Sequence, residues 1–293
     1  MGAVGDEPAI SPGRGLPGGT AAPRRRPSRS RRYLTPKRAI PRTLVLVLGV
    51  LSFATLIGVW AVLTYGGFIS SYFLPKPTTV AHTEYQLFAE RGFLSDVWAS
   101  GYRIMAGFIL AALIAVPVGI AIGSFRSVQA FLEPPIAAIR YMPASAFIPL
   151  LIIWFGIANG EKIAVIFMGV FFPLTLMIAD VSANVPGEWL DMSYTLGASR
   201  PQVFLRVLVP ACWPGVLDSL RIGVGWAWTY LIVAELVAAD TGIGHVILQA
   251  NRFLQTDVII AGILTIGALG LITDGVFRWL YRVLFPYVER LER

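Results

Sequence analysis

The sequence predicts an all-α membrane protein with six transmembrane helices, on the evidence of its composition and its apolar runs. Of the 293 residues, 56% are hydrophobic and 14% are charged, and the mean hydropathy is +0.68. Soluble globular chains usually carry about a quarter charged residues, so much of this chain is expected to face lipid. The apolar residues also fall in uncharged runs that approach or reach the length needed to cross a bilayer.

The first apolar run, residues 43–65, follows a basic region that holds ten of the 24 Lys and Arg residues. A basic region before an apolar run also describes a signal peptide. This run is longer than the apolar part of a signal peptide, and no clear small-residue cleavage site follows it. We therefore predict a retained first span. Residues 1–42, rich in Gly, Pro, Ser and Arg, are predicted to form a disordered basic tail.

Five further runs complete the predicted transmembrane domain of residues 43–285. Several are short, so each helix is expected to extend by a turn or more into its flanks. Prolines inside them are tolerated because neighbouring helices satisfy the freed carbonyl groups. The six predicted spans are 43–65, 104–125, 141–160, 163–179, 222–239 and 258–273.

The distribution of Lys and Arg predicts the orientation in a bacterial inner membrane. With the N-terminus inside, the cytoplasmic segments are 1–42, about 126–136, about 184–215 and about 280–293, which includes the C-terminal tail, 286–293. Together they hold most of the arginines of the chain. Both termini are therefore predicted to be cytoplasmic. The basic tail is expected to lie beside membrane lipid rather than to bind nucleic acid.

The segment 66–102, predicted to lie on the opposite side, contains an amphipathic pattern. We expect a helix that is capped by Thr78 or Thr79, continues to about Arg91 and is stopped by Gly92.

Residues 186–210 are a polar segment between two apolar runs, and their capping signals predict two short helices about a turn. Pro186 and Glu188 suit a first turn, and Gly197 suits the left-handed position that ends a helix. Ser199 and Gln202 have the spacing of a capping box that starts a second helix. That helix is expected to run to about Val209, with a kink at Pro210. Such a unit is either a connector or a docking element for a cytoplasmic partner.

The same segment resembles the "EAA" motif of permease subunits of ATP-binding-cassette (ABC) importers, which reads E-A-A, three residues, G, nine residues, I-x-L-P. Every letter of the E-A-A triplet differs here. The stretches 73–80 ("FLPKPTTV"), 142–162 and 234–247 ("AELVAADTGIGHVI") extend the likeness to the nitrate, sulfonate, taurine and bicarbonate branch, over residues 43–285. The residues that match the motif are Asp191, Met192 and Ser193 for the triplet, Gly197 for the glycine, and Val207, Val209 and Pro210 for its end.

The resemblance implies a type I ABC importer-like permease that imports a small anion. It implies a homodimer, two cytoplasmic ATPase subunits that bind ATP and Mg²⁺, and a periplasmic or lipid-anchored binding protein. The chain contains no G-x-x-x-x-G-K-[S/T] loop, so we predict a permease that is not itself an enzyme and carries no cofactor. The residues expected to couple to the ATPases are Asp191, Met192, Ser193, Gly197, Ala198, Ser199, Val207 and Pro210.

Charged and aromatic residues in the spans supply candidates for the transport pathway. Arg103 is interpreted as an anion attractor or as an interface arginine that reaches water, and Glu235 as a gate or a structural hydrogen-bonding group. Asp180, Asp274 and Arg140 are expected to form structural pairs. The pathway candidates are Arg103, Met142, Trp154, Trp226, Trp228 and Glu235.

Other groups and functions are disfavoured or left open. Asp218 and Arg221 are expected to pair along one helix. Cys212, a lone cysteine, and two histidines predict neither a disulfide framework nor a metal site. A stand-alone secondary transporter and a membrane scaffold or intramembrane enzyme remain as alternatives to the importer.

Overall fold

In the computed structural model, residues 41–287 are described, so almost all of the predicted tail 1–42 and residues 288–293 lie outside the described residues. A 3₁₀ turn (Ala144–Phe147) precedes α5, and a π turn (Phe204–Leu208) joins α8 to α9. The helices are α1 (Arg42–Tyr65), α2 (Pro77–Ala89), α3 (Phe93–Ser124), α4 (Arg126–Ile139), α5 (Ile148–Phe155), α6 (Asn159–Ala183), α7 (Gly187–Thr195), α8 (Arg200–Val203), α9 (Val209–Ala238), α10 (Ile243–Arg252) and α11 (Thr256–Leu284).

The chain divides into two compact units, Met1–Leu56 and Ile57–Arg293, with the division inside α1. The described part of the first unit is the beginning of α1, an apolar helix with no charged residue after Arg42, whose large side chains are exposed, as suits contact with lipid. All of the following structure belongs to the second unit.

Within residues 41–287, five helices are long and apolar enough to cross a membrane, namely α1, α3, α6, α9 and α11. They confirm five of the predicted spans, and four of them extend well beyond the predicted limits. Within the predicted third span, 141–160, the helix is interrupted. Pro143 is extended, with φ −62° and ψ 120°, and Gly156 has φ +72°, so only the short α5 lies between these breaks. The helical segment 144–155 forms a pair with α4, bent by 80°, and this pair, counted as one broken span, is the sixth.

The core of the second unit lies among α3, α6 and α9. Phe108, Ile166 and Leu231 are among the buried side chains that these helices contribute. Glycines let α3 and α6 approach closely: a Cβ atom at Gly119 would lie 2.7 Å from the carbonyl oxygen of Thr175. Small residues at helix contacts are typical of membrane proteins, where close backbone packing replaces the hydrophobic effect.

The same three helices define two ends of the unit. We call one the coupling end, after the role predicted for the segment 186–210, which lies there, where α6 has ended and α9 begins. The far end contains the start of α3 and α6 and the end of α9. At 1.5 Å per residue, α6 and α9 each extend about 40 Å between these ends.

The amphipathic helix predicted in 66–102 is present as α2, although its predicted cap is wrong. The helix begins at Pro77 after an extended Lys76, so Thr78 and Thr79 lie inside it. Gly92, with φ +66°, follows the helix end as predicted. Two polar contacts join α2 to α11: Thr83 Oγ1 donates to Asp257 Oδ2 at 2.7 Å, and Thr265 Oγ1 donates to Glu84 Oε1 at 2.6 Å.

Ion pairs join α9 to α11 nearer the coupling end. Arg221 Nη1 lies 3.4 Å from Asp218 Oδ1, which confirms that predicted pair, and Arg221 Nε lies 3.0 Å from Asp274 Oδ1. Asp274 also pairs with Arg278. The expectation that Asp274 has a structural partner is therefore confirmed. Arg140 Nη2 donates to the hydroxyl of Tyr141 at 3.1 Å.

Candidate functional site

Helix α7 and the turn after it form the first half of the coupling-end segment. Gly197 has φ +84°, the left-handed conformation predicted for it. Its N–H donates to Tyr194 O at 2.9 Å, and the N–H of Ala198 donates to Ser193 O at 3.1 Å. These two bonds form a Schellman motif, which satisfies the last carbonyl groups of a helix. The helix end is therefore fixed by its own backbone.

The second half starts with the predicted capping box. Gln202 Oε1 accepts hydrogen bonds from the backbone N–H of Ser199 at 2.8 Å and from its hydroxyl at 3.0 Å. The backbone of Ser199 is extended, and Pro201 lies inside the first turn, where its missing N–H costs nothing. Helix–turn–helix geometry is thus specified by residues close in sequence.

The predicted kink at Pro210 is replaced by a π turn. The N–H of Val209 donates to Phe204 O, five residues back rather than four. Pro210 then lies in the first turn of α9, where no N–H is needed. Helix α9 therefore continues directly from the coupling-end segment to the far end.

One face of the segment packs on the transmembrane helices while another is exposed. Leu190 and Phe204 pack against the core, and Leu208 is buried. Phe204 also contacts Phe125 at the end of α3, with ring centroids 5.3 Å apart. By contrast, Leu196 is 82% exposed and Met192 is 65% exposed. Exposed apolar side chains on a rigid, capped unit are typical of an interaction surface.

The predicted coupling residues do not all lie on that exposed surface. Ser193 and Ala198 are half-buried, and Ser193 Oγ donates to Trp189 O at 2.7 Å within its own helix. Val207 is half-buried in the π turn. The exposed members of the predicted set are Asp191, Met192, Gly197, Ser199 and Pro210.

At the far end, the structure brings Arg103 and Glu235 together from α3 and α9. Arg103 Nη1 lies 2.6 Å from Glu235 Oε1, and both side chains are buried. The interpretation of Arg103 as an interface arginine that reaches water is therefore wrong. Its remaining contacts are with Asn159 Oδ1 at 2.8 Å from Nε, with Thr241 O at 2.7 Å from Nη1, and with Thr241 Oγ1 at 2.8 Å from Nη2.

Glu235 is fully buried, and its structural hydrogen-bonding interpretation matches what the structure shows. Ser100 Oγ donates to Oε1 at 2.8 Å, and the N–H of Gly244 donates to Oε2 at 2.8 Å. A buried carboxylate is costly unless it is paired and hydrogen-bonded, and here both oxygens have donors. We call Asp96, Ser100, Arg103, Glu235 and the turn 239–244 the far-end cluster.

Two charged residues of this region were missed by the sequence analysis. Glu161 and Lys162 lie in the first turn of α6 and are 0% and 2% exposed. Lys162 Nζ lies 3.1 Å from Glu161 Oε2, whereas Glu161 Oε1 has no hydrogen-bond partner among the described residues. For Glu235 and the turn 239–244, the family resemblance of the stretch 234–247 was the sequence signal that pointed to a functional region.

The other pathway candidates are dispersed. Trp228 is buried in the core, and its Nε1 donates to Thr273 Oγ1 at 3.2 Å, while Trp226 is half-buried against the same core. Met142 and Trp154 are exposed, in the turn before α5 and near its end. These aromatic and methionine side chains therefore do not line one cavity with Arg103 and Glu235.

Comparison with known proteins identifies the family. A family model described as a binding-protein-dependent transport system inner membrane component matches residues 97–285. The taurine transport system permease protein TauC of Escherichia coli is 36% identical over 253 residues, which cover 85% of this chain and 91% of TauC. The putative aliphatic sulfonates transport permease protein SsuC of Bacillus subtilis is 32% identical, covering 83% and 88%.

More distant relatives agree with this result. The nitrate import permease protein NrtB of Synechocystis is 29% identical over 81% of this chain and 88% of NrtB. A chain of the methionine ABC transporter MetNI, in an inward facing conformation, superposes with a TM-score of 0.51 at 18% identity, over 63% of this chain and 94% of that one. The likeness to MetNI shows the fold alone. The chain belongs to the family of binding-protein-dependent transport system inner membrane components: it is an ABC importer permease, not the ATPase.

Proposed function

We propose that this chain is the permease of an importer for organosulfonates, of which taurine is the first to test. Two relatives that cover most of the chain are described as taurine and aliphatic sulfonate permeases. A sulfonate is a small anion, as the sequence resemblance implies. Nitrate is the second candidate because the NrtB likeness covers four fifths of the chain, and bicarbonate belongs in the same test panel.

The assembly that we propose has two copies of this chain, two ATPase subunits and a periplasmic or lipid-anchored binding protein. Both termini and the coupling-end segment are on the cytoplasmic side. The excess of arginine at that end of the spans supports this orientation. ATP with Mg²⁺ would be bound and hydrolysed on the ATPase subunits.

The observation that carries the proposal is the exposed apolar face on a segment fixed by its own caps. Met192 and Leu196 are available to enter a groove on an ATPase, while Leu190 and Phe204 hold the other face on the spans. A rigid contact transmits displacement, whereas a flexible connector would absorb it. The continuous helix from the π turn into α9 gives that displacement a path into the membrane.

Reconstitution tests the proposal. The chain is purified with its ATPase and binding-protein partners, placed in liposomes with ATP inside, and supplied with taurine, nitrate or bicarbonate outside. We expect ATP-dependent uptake of taurine. Uptake driven by an ion gradient in liposomes that contain this chain alone would contradict the proposal and support a secondary transporter.

A further inference from the structure

Helix α10 is held at its first turn by side chains from two other helices. The first N–H groups of a helix have no partner within it. Here three consecutive N–H groups donate to side-chain oxygens of α3 and α9. The contacts are Gly242 N–H to Asp96 Oδ1 at 2.8 Å, Ile243 N–H to Ser100 Oγ at 2.9 Å, and Gly244 N–H to Glu235 Oε2 at 2.8 Å.

The side chains of α3 that contact the first turn of α10 and the residues before it lie along one face of the helix. Asp96, Ser100 and Arg103 are spaced four and three residues apart, so they share one face of α3. Arg103 continues the contact, because it binds both the carbonyl and the hydroxyl oxygen of Thr241 just before α10. One face of α3 thus binds three consecutive residues of the turn 239–244, Thr241 to Ile243.

The turn fits closely over the ion pair. Gly242 has φ +114°, and a Cβ atom there would lie 2.7 Å from Arg103 Nη1. At Gly244, a Cβ atom would lie 2.6 Å from Glu235 Cβ. Both glycines of the T-G-I-G sequence are therefore required by the approach of the turn to Arg103 and Glu235.

Helix α9 connects this cluster to the coupling end. It runs without a break from Val209, directly after the π turn, to Ala238, and Glu235 is in its last turn. The rise from Val209 to Glu235 is about 39 Å. The two ends of one helix therefore contact the coupling-end segment and the far-end cluster.

We propose that Arg103 and Glu235 are positioning residues for transport. Their ion pair fixes the far end of α9 to α3 and α10, so that a displacement at the coupling end moves these elements together. This inference rests on the proposed function, because the displacement comes from the ATPases. Without the pair, α9 still moves when ATP is hydrolysed, but α3 and α10 no longer follow it.

The test is the amount of taurine imported per ATP hydrolysed in the reconstituted complete transporter. Glu235→Gln and Arg103→Lys are expected to lower this ratio at least about tenfold while ATP hydrolysis continues. Thr241→Val removes one hydrogen bond to Arg103 but leaves the carbonyl contact, and the expected fall is about two- to threefold. Hydrogen exchange in residues 242–252 is expected to be faster in the first two variants.

Arg221→Lys is the matched control, because Arg221 is also an ion-paired residue of α9 but lies outside the far-end cluster. Its ratio is expected to equal that of the wild type. A merely structural role for Arg103 and Glu235 would lower uptake and hydrolysis by the same factor, which would overturn the inference, as would an unchanged ratio in all three variants. Should the stronger variants fail to assemble, Thr241→Val alone decides between these outcomes.

The wild-type transporter tests the proposed function, whereas the variants test the inference. A wild-type transporter without ATP-dependent uptake of taurine or nitrate refutes the proposed function and the inference with it. An active wild type with normal ratios in the variants refutes the inference alone. If nitrate rather than taurine is imported, the same ratios are measured with nitrate.

Discussion

The two polar regions of this permease are stabilised in opposite ways. The coupling-end segment is exposed, and its caps are made by residues within a few positions of one another. The far-end cluster is buried, and its central ion pair joins residues 132 positions apart. The first is a surface with a fixed shape, and the second is a joint between helices. Damage to the first should therefore affect partner contact, whereas damage to the second should affect the fold and the coupled movement of the spans.

The largest effect on stability is expected from Arg103→Ala. This change leaves the Glu235 carboxylate buried without its cation, and breaking one partner of a buried pair typically costs about 3–5 kcal/mol. Thermal unfolding of the purified chain in detergent measures the loss. Arg221→Ala, at a pair that is about one third exposed, serves as the control. Similar losses in the two variants would show that the difference in burial does not matter.

Gly197→Glu is expected to abolish uptake with a smaller loss of stability. Nothing lies within 4 Å of a Cβ atom at Gly197, so the cost comes from its positive φ, about 1–2 kcal/mol for a residue with a side chain. A changed turn would misplace Met192 and Leu196 relative to an ATPase. Uptake and membrane insertion are measured together. Gly197→Asn is the matched control because Asn tolerates the left-handed conformation, and normal uptake in Gly197→Glu would contradict the coupling role.

Gln202→Ala is expected to loosen the second helix of the segment by about 1 kcal/mol, because the N–H of Ser199 loses its acceptor. Hydrogen exchange in residues 199–203 should become faster, and uptake should fall only in part. Gln202→Glu keeps the acceptor oxygen and is expected to behave as the wild type. Equal exchange rates in the Ala and Glu variants would contradict a stabilising role for the capping box.

The smallest effect is expected from Asp218→Asn. The carboxylate of Asp218 is half exposed and lies 3.4 Å from Arg221, which keeps its second contact with Asp274. Exposed pairs contribute about 0–1 kcal/mol. Chemical denaturation of the purified chain in low and high salt should show a change at the lower limit of this range. A loss comparable to that of Arg103→Ala would contradict the proposed importance of burial.

The coupling-end segment could be predicted from the sequence better than the far-end cluster, because its contacts are local in the chain. The coupling-end turn could be predicted because Gly197, Ser199 and Gln202 act on their own neighbours in the chain. The far-end cluster could not, because no local pattern pairs Arg103 with Glu235 or separates a buried Glu161–Lys162 pair from an exposed turn. Hydrophobicity located five of the spans. It did not detect the interruption of 141–160, where the backbone conformations of Pro143 and Gly156 end the helix.

The close contact of α3 and α6 also limits where a solute can pass. At Gly119 and Gly107, an added Cβ atom would lie 2.7 Å and 3.0 Å from carbonyl oxygens of α6, so the two backbones leave no room for a third molecule. Permeation along this seam would require the helices to separate. The route for a solute is therefore expected to follow other faces, and changes of selectivity in this protein should be sought away from Gly107 and Gly119.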